Sequence, residues 1–489
     1  MIRWGIASGI HDASLCVMDD SEILFASHAE RYSGVKNDAH LNQYIIDDAL
    51  SFGYPEEVHF YENPLLKTAR RLYAGQAFKF TNPASELKRL GLMESSKYKA
   101  KVYWGSHHKS HTAAGFYTSP FNEASCLTID AIGEFDTTSI WHGNKSDSTL
   151  HKVYNETYPK SLGLFYSAMT DRIGLKANED EYILMGMSAY GDSKKYLDQV
   201  WLMFNEPGAN FHQGCRGFLP DLTEEDYFDV AAATQRVYEM EFKQLLTRVK
   251  MNAKTKAQSE NLVLMGGCAL NCLANRYATE QFENVWIMPN PGDAGSSLGA
   301  ILAHTKKQAN WQGPYLGHEI TGEYPVNELL KELKTSGIVG VANGKAEFGP
   351  RALGNRSLLA DPRGDQMKDV VNRIKRRQEF RPFAPVILQE HVSEYFDVET
   401  DFESTYMQYV VRCTKPEDFP AIVHVDGTSR VQTVTKESHT GLYELLTQWK
   451  AATGCPMLLN TSLNIKGKPM VNSSISGRAF EHEYGVKVF

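Results

Sequence analysis

Short runs of apolar residues, separated by tight turns, open the chain and predict a strand meander. These runs occupy residues 2–8, 13–18 and 22–28. A second set of runs and turns follows at residues 125–130, 136–142 and 150–156. The two sets are alike in pattern, each with three strands in succession.

Helical spacing of apolar residues is clearest over residues 229–250, where it predicts a long amphipathic helix. Residues 261–265 form an apolar run typical of a buried strand. Gly266 and Gly267 then turn the chain into a helix predicted over residues 269–282. Glycines at such a turn allow the backbone to approach a ligand closely. Strands mixed with helices place the chain in the α/β class.

Residues 305–324 lose this periodicity and are rich in Gln, Gly, Pro and Tyr, which indicates a domain boundary. We therefore expect two domains, residues 1–313 and 314–489. Beyond the boundary the local charge changes sign. Residues 340–381 hold ten Lys or Arg and five Asp or Glu, which is a local net charge of +5.

The whole chain has 51 basic and 59 acidic residues and a net charge of -8. This balance argues against a basic surface for polyanions, so we expect no stable nucleic-acid complex. The start lacks a signal-peptide pattern and no run reaches the ~18 apolar residues of a membrane span, so we expect a cytoplasmic protein without membrane contact. Seven scattered cysteines indicate reduced thiols. The oligomeric state is open, with a homodimer as one option.

The first candidate site combines two histidines with two aspartates. His107 and His111 are four positions apart on a predicted helix, so both imidazoles leave one face and can meet one cation. Asp130 at the end of an apolar strand and Asp293 in a glycine-rich turn are the carboxylates expected to complete the site. This donor set suits iron(II), manganese or zinc. The alternative is two surface histidines, a turn-forming Asp130 and a helix-capping Asp293.

His11 is the second candidate and lies in the first tight turn of the chain. Loops at such positions often display catalytic groups in α/β domains. An imidazole there is suited to act as a general base. The alternative is a turn histidine that is hydrogen-bonded to the backbone.

The third candidate is the basic region of the second domain, where Arg351 follows a Gly-Pro turn and Lys375 and Arg377 lie close in sequence. Planar guanidinium groups bind phosphate oxygens bidentately, and a lysine adds a point charge. Interleaved apolar residues favour a part-buried site over a solvated basic face. Residues 460–464 follow an apolar strand with a polar turn that either binds a nucleotide or small anion or is an ordinary capped turn.

Together these segments resemble the O-carbamoyltransferase family of antibiotic-tailoring and nodulation-factor enzymes, over nearly the whole chain. The matching segments are residues 11–14, 30–36, 107–111, Asp130, 185–191, 266–271, Asp293, 347–357 and 460–464. The resemblance implies a duplicated actin/Hsp70-like (ASKHA) first domain, related to threonylcarbamoyl transferases. It implies an α/β YrdC-like domain after it.

The resemblance also implies an ATP-dependent reaction in two steps. The YrdC-like domain is expected to form carbamoyl-adenylate from carbamoyl phosphate and ATP, with Mg²⁺ on the nucleotide. The first domain is expected to pass the carbamoyl group to a hydroxyl of a small-molecule acceptor. A reactive adenylate hydrolyses in water, which is a reason to keep both steps in one chain.

The family's site residues are carried over by position. His107, His111, Asp130 and Asp293 match its metal ligands, for which iron(II) is the first expectation, and His11 matches the base. The residues expected to be catalytic in the second domain are Lys375, Arg377 and Ser462. Those expected to bind substrate or nucleotide are Lys36, Gly266, Gly267, Asn271, Arg351, Arg430 and Asn464.

Two other functions compete with this hypothesis. One is a threonylcarbamoyl-type enzyme that modifies tRNA, against which the acidic net charge of -8 argues. The other is a non-catalytic, ATP-switched module on the same actin-like fold. A phosphate switch has no need of two imidazole ligands, so the His107 and His111 pair discriminates between them.

Overall fold

The computed structural model describes residues 1–9, 11–78, 80, 86–88, 100–364 and 366–489. The chain divides into two compact units. The first unit comprises Met1–Ala29 and Asn37–Gln312, and the second comprises Glu30–Lys36 and Gly313–Phe489. Each unit is a mixed α/β structure. Within the described residues, no helix is both long and apolar enough to cross a bilayer.

The first unit contains two five-stranded sheets. The strands of the first are β1 (Ile2–Ala7), β2 (Ser14–Asp19), β3 (Glu22–His28), β4 (Glu57–Phe60) and β5 (Lys101–Trp104). Their order is β3-β2-β1-β4-β5. β1, β2 and β3 are antiparallel, and β4 and β5 continue from β1 in parallel.

The second sheet repeats this plan. Its strands are β6 (Glu123–Gly133), β7 (Asp136–Asn144), β8 (Thr149–Thr157), β9 (Asn261–Met265) and β10 (Asn284–Trp286). The order is β10-β9-β6-β7-β8, with β6, β7 and β8 antiparallel and β9 and β10 added in parallel. Strand order and direction therefore match the first sheet, which confirms the two strand meanders predicted from the apolar runs.

Helices of the first unit connect and cover these sheets. They are Gln43–Leu50, Pro64–Tyr73, His107–Thr118, Leu162–Arg172, Glu181–Met187, Leu197–Phe204, Tyr227–Asn252, Lys256–Glu260, Cys272–Thr279 and Ser296–Thr305. The His107–Thr118 and Ser296–Thr305 helices pack very closely at Gly299. A Cβ at this position would lie 1.8 Å from the Ser110 carbonyl oxygen. The predicted helix over 269–282 is split into a short turn, Gly267–Leu270, and the Cys272–Thr279 helix.

The second unit is built on one five-stranded sheet and two small two-stranded sheets. The strands are β11 (Tyr315–Ile320), β12 (Ile338–Ala342), β13 (Gly344–Glu347), β14 (Arg356–Ala360), β15 (Ala384–Leu388), β16 (Val410–Arg412), β17 (Thr428–Arg430), β18 (Gln432–Val434) and β19 (Met457–Ser462). The main sheet has the order β12-β14-β19-β15-β18. β11 pairs with β13, and β16 pairs with β17.

Six helices of the second unit are described, and the longer ones pack on both faces of this main sheet. They are Glu30–Ser33, Val326–Ser336, Met367–Lys375, Val392–Tyr395, Thr440–Thr453 and Ser474–Tyr484. One apolar cluster packs Leu333 and Trp449 against Val339, and the other packs Val371 and Phe480 against the opposite strand face. Alternate strand residues therefore supply two separate cores.

The segment Glu30–Lys36 groups with the second unit, whereas the predicted division assigned it to residues 1–313. Arg31 explains the grouping, since its buried Nη2 donates to the Gly349 carbonyl oxygen at 2.7 Å. Its Nη1 lies 4.0 Å from Glu347 Oε2, and both side chains are buried. Periodicity in the sequence does not predict a contact between one arginine and residues more than 300 positions away.

Candidate active site

His107 and His111 lie one turn apart on the His107–Thr118 helix, and both are fully buried. Their Nε2 atoms are 3.1 Å apart. Burial of both imidazoles excludes the alternative of two surface histidines. The spacing of four therefore brings both rings to one point, as the sequence predicted.

Asp130 and Asp293 face the same point from two other elements. Asp130 lies in β6 where the pairing with β7 is irregular, between Ile129 and Gly133, and its Oδ2 is 2.9 Å from His107 Nε2. Asp293 lies in the turn before the Ser296–Thr305 helix, and its Oδ1 is 3.1 Å from His111 Nε2. The four ligand atoms all lie within 4.8 Å of one another.

The separations between the imidazole nitrogens and the carboxylate oxygens suit a shared cation. Ligands about 2.1 Å from one metal ion lie roughly 3.0 Å apart at right angles and 3.4 Å apart at tetrahedral angles. The contacts of 2.9–3.5 Å between imidazole nitrogens and carboxylate oxygens fall in this range. A buried His/Asp group of this kind could hold a metal ion, and the donor set is compatible with iron(II), manganese or zinc.

Backbone groups orient two of the four side chains. His111 Nδ1 donates to the Pro291 carbonyl oxygen at 3.0 Å, which leaves Nε2 free of a proton in the neutral ring. The Gly267 amide donates to Asp130 Oδ1 at 3.2 Å, so Oδ2 is turned toward the imidazoles. Such outer contacts fix the direction of metal ligands before an ion binds.

Two glutamates near this group were not found from the sequence. Glu134 accepts hydrogen bonds from the backbone amides of His107, at 3.2 Å, and Asn63, at 2.7 Å. Glu62 Oε2 lies 3.8 Å from His107 Nδ1 and the same side chain pairs with Lys67. Ser106 is the residue before the histidine helix, but its side chain forms no capping hydrogen bond, and Glu134 accepts from the first helical amide instead. The only signal for Glu134 in the sequence is that an acidic residue lies in the turn between β6 and β7.

Burial and charge act in opposite directions on the four candidate ligands. Burial alone would lower the pKa of His107, but Asp293 and Asp130 raise it well above its ordinary value. Burial alone would raise the pKa of Asp130, but the two imidazoles hold it well below its usual range, and the same holds for Asp293. The buried carboxylates therefore require positive charge at their shared point, which a divalent cation can supply.

His11 lies beside this group, with its Nε2 3.9 Å from Asp293 Oδ2. Its Nδ1 contacts Asp12 Oδ2 at 3.2 Å, and its side chain is 36% exposed. Burial lowers its pKa, but the contacts with Asp12 and Asp293 together raise it to about 9. The position of His11 is that of a proton-carrying group at the rim of the His/Asp group.

Gly266 and Gly267 lie next to the His/Asp group of the first unit. Gly266 has a φ of +91°, and a Cβ there would lie 2.0 Å from the Ile129 carbonyl oxygen. Glycine is therefore required for the backbone to pass β6 and present Gly267 to Asp130. Asn271 is held internally, because its side chain caps the Cys272–Thr279 helix and exchanges hydrogen bonds with Gln235.

In the second unit Lys375, Ser462 and Asn464 come together. Lys375 Nζ donates to the hydroxyl and carbonyl oxygens of Ser462 and to Asn464 Oδ1, the last at 2.9 Å. Ser462 Oγ in turn donates to Asn464 Oδ1 at 2.6 Å. Burial lowers the pKa of Lys375 well below its ordinary value, and the charges of Arg377 and Arg381 add to this. In these contacts the Lys375 ammonium donates only to uncharged oxygens. Its positive charge is therefore suited to bind an anion.

The arginines predicted around this group have different surroundings. Arg377 donates to Asn372 Oδ1 at 2.8 Å and lies over the Phe383 ring, 3.8 Å from its centroid. Arg430 ends β17, and its Nε is buried without a hydrogen-bond partner. Arg351 and Lys36 are half-buried in the second unit.

Glu347 and Arg356 organise the loop between β13 and β14. Glu347 Oε1 accepts from the backbone amides of Leu353, Asn355 and Arg356, at 2.8, 2.9 and 3.1 Å. The fully buried Arg356 donates to backbone carbonyls, including those of His318 and Asn472. Part of the basic pattern at residues 345–357 therefore stabilises the loop itself instead of facing a ligand.

Comparison with known proteins matches the two halves of the chain to two models of one family. Residues 71–213 and 203–302 match the model described as carbamoyltransferase N-terminus, and residues 330–486 match carbamoyltransferase C-terminus. Solved structures that resemble the chain include T. kodakarensis HypF, at 10% identity over 62% of this chain and 47% of that one. The TM-score of that match is 0.37.

Relatives match over most of the chain. An uncharacterised Synechocystis protein is 32% identical over 96% of this chain and 92% of its own. The nodulation protein NolO of Bradyrhizobium diazoefficiens is 31% identical over 75% of this chain and 74% of its own. The 3'-hydroxymethylcephem-O-carbamoyltransferase of Streptomyces clavuligerus is 26% identical over 94% of this chain and 92% of its own. The chain therefore belongs to the carbamoyltransferase family.

Proposed function

We propose that this chain is an ATP-dependent O-carbamoyltransferase that carbamoylates a hydroxyl of a small-molecule acceptor. The observation that carries the proposal is the match of both units to the family, with a relative of nearly equal length named as an O-carbamoyltransferase. The two polar groups described above supply one site for each half of the reaction.

The first half-reaction forms carbamoyl-adenylate. Hydrolysis of carbamoyl phosphate releases phosphate and carbamate, and a carbamate oxygen then attacks the α-phosphorus of ATP and expels pyrophosphate. The adenylate is a better carbamoyl donor than carbamate, because AMP is a good leaving group. We assign this step to the second unit as a YrdC-like activity, with Mg²⁺ on the ATP phosphates.

Lys375, Ser462 and Asn464 support that assignment. Their contacts hold a buried ammonium against uncharged oxygens only, with two arginines nearby. A positive site of this kind favours the polyphosphate and its charge in the transition state. Arg377 and Ser462 are proposed to act with Lys375, and Asn464, Arg351, Arg430 and Lys36 to bind ATP and carbamoyl phosphate.

The second half-reaction belongs to the first unit. The acceptor hydroxyl attacks the carbamoyl carbon, AMP leaves, and the hydroxyl proton passes to a base. His11 is the proposed base, because its ring lies at the rim of the His/Asp group and is partly exposed. A divalent ion held by Asp130 and Asp293 would offset the carboxylate charges that help to raise the pKa of His11, and this favours the neutral ring that accepts a proton. His107, His111, Asp130 and Asp293 would hold a divalent ion, iron(II) first among the candidates, which supplies charge stabilisation at phosphate and carbonyl oxygens. Gly266, Gly267 and Asn271 are proposed to lie near the adenosine.

Separate variants test the two halves. Lys375→Ala is expected to stop pyrophosphate release from ATP and carbamoyl phosphate, because it removes the buried ammonium. His11→Asn is expected to retain pyrophosphate release and to stop carbamoylation of the acceptor. Pyrophosphate release that survives in a folded Lys375→Ala protein would overturn the assignment of the first half-reaction.

A further inference from the structure

Two adjacent arginines on the Pro64–Tyr73 helix of the first unit, Arg70 and Arg71, form no salt bridge with a carboxylate of the described residues. Arg70 is 6% exposed, and its Nη1 donates to Gln76 Oε1 at 3.3 Å. The Nε atoms of both Arg70 and Arg71 are buried without a hydrogen-bond partner among the residues that the structure describes. Lys67 on the same helix provides a contrast, since its ammonium pairs with Glu62.

The groups beside the arginines are uncharged. Gln76 joins Arg70 to His212, because its amide oxygen accepts from Arg70 and its Nε2 contacts His212 Nε2 at 3.2 Å. Burial lowers the pKa of His212, and the charges of Arg70 and Arg71 lower it further. A neutral imidazole adds a hydrogen-bonding group but does not offset the two guanidinium charges.

Buried charges in proteins are normally paired, since desolvation of an unpaired charge is costly. A solvated surface cation does not describe Arg70, because only 6% of this residue is exposed. Guanidinium groups bind carboxylates and phosphates through two parallel hydrogen bonds. The free donors of Arg70 and Arg71 therefore fit an anionic ligand.

This basic cluster, defined as Arg70, Arg71 and His212, adjoins the His/Asp group. Burial and the charge of Arg71 lower the pKa of Arg70, and Glu62 opposes this shift. Glu62 also lies 3.8 Å from His107 Nδ1, so it interacts with both groups. Arg70 follows Pro64 by six positions, about 9 Å along the helix axis. The Asn63 amide before that helix donates to Glu134, the carboxylate that also caps the histidine helix. One small molecule can therefore reach from the cluster toward the reacting centre.

We propose that Arg70 and Arg71 bind an anionic group, a carboxylate or a phosphate, carried by the hydroxyl acceptor. The substrate class is thus an alcohol that also carries a carboxylate or a phosphate. The presence of the anion site rests on the arginine contacts alone. Its assignment to an acceptor rests on the proposed carbamoyl transfer.

Binding of inorganic phosphate tests the site without any need for catalysis. Equilibrium dialysis of the full chain would compare Arg70→Gln with Arg216→Gln, a control that removes an exposed arginine paired with Asp171. The same pair is measured in a Lys375→Ala background, where the candidate phosphate site of the second unit is weakened. Arg70→Gln is expected to weaken one phosphate site at least about tenfold, as for loss of a charged hydrogen bond. Equal binding in Arg70→Gln and Arg216→Gln would overturn the proposal.

A second measurement separates an acceptor anion from a nucleotide phosphate. In Arg70→Gln, the affinity for AMP and the KM values for ATP and carbamoyl phosphate in pyrophosphate release are expected to equal those of the unmodified chain. A tenfold loss of AMP affinity would instead assign the cluster to the nucleotide and refute an acceptor site. Absence of pyrophosphate release in the unmodified chain would refute the proposed function and leave the phosphate-binding result standing.

Discussion

Replacement of Lys375 by alanine is the perturbation whose effects can be worked out most fully. The change removes one ammonium and its contacts with four oxygens of Ser462 and Asn464. Loss of a donor to part-buried acceptors costs about 1–3 kcal/mol of stability. Loss of a charge that stabilises a phosphoryl transition state reduces kcat by about 100-fold or more. Activity should therefore fall much further than stability.

The assay is pyrophosphate release from ATP and carbamoyl phosphate, followed beside a denaturant unfolding curve. Arg373→Ala is the matched control, because it removes one exposed positive charge from the same Met367–Lys375 helix. The control is expected to retain pyrophosphate release. A folded Lys375→Ala protein that releases pyrophosphate at a rate within about twofold of the control would refute the reasoning.

Three further predictions concern metal binding, backbone geometry and pH. His111→Ala removes one of four converging ligands, so metal analysis of the purified variant should show a clear loss of bound divalent metal, and equal content would remove the metal site from this account. Gly266→Ala should lower the free energy of unfolding by about 2–4 kcal/mol in denaturant titrations. The reason is that Gly266 has a φ of +91° and that the added Cβ would lie 2.0 Å from the Ile129 carbonyl oxygen. A cost below about 0.5 kcal/mol would contradict this geometry. Burial lowers the pKa of the His439 imidazole to about 4. Below about pH 6.5 this imidazole is therefore protonated in the unfolded chain but stays neutral in the folded chain, which lowers the free energy of unfolding. Between pH 7 and about pH 4.5 the chain should lose about 2–3 kcal/mol of stability through this group, and His439→Asn should reduce that loss; an unchanged pH dependence would refute it.

The elements that the sequence predicted are those with a local, repeated pattern. The strand runs correspond to β1, β2 and β3 and to β6, β7 and β8, because alternation and turn residues act within a few positions. The histidine spacing predicted a shared face, and the structure brings His107 and His111 to one point with Asp130 and Asp293. Spacing of four on a helix is a local property, and burial by two packed helices then fixes the rings.

The features that the sequence did not predict depend on contacts between distant segments. Glu134 reaches the amide of His107 across 27 positions, and no periodicity marks such a pair. Arg31 contacts Glu347 and Gly349 more than 300 positions away, which assigns residues 30–36 to the second unit. Arg356 lies within the basic stretch of residues 340–381, yet its buried guanidinium donates to backbone carbonyls.

The most direct test of the central claim follows both half-reactions in one incubation. The chain would be supplied with ATP, carbamoyl phosphate, iron(II) and a pool of metabolites, and pyrophosphate, AMP and products would be analysed by mass spectrometry. The account predicts one metabolite that gains the mass of a carbamoyl group as AMP accumulates. It also predicts that His11→Asn releases pyrophosphate without that product. ATP consumption without any carbamoylated product, or a carbamoylated product formed without ATP, would contradict the account.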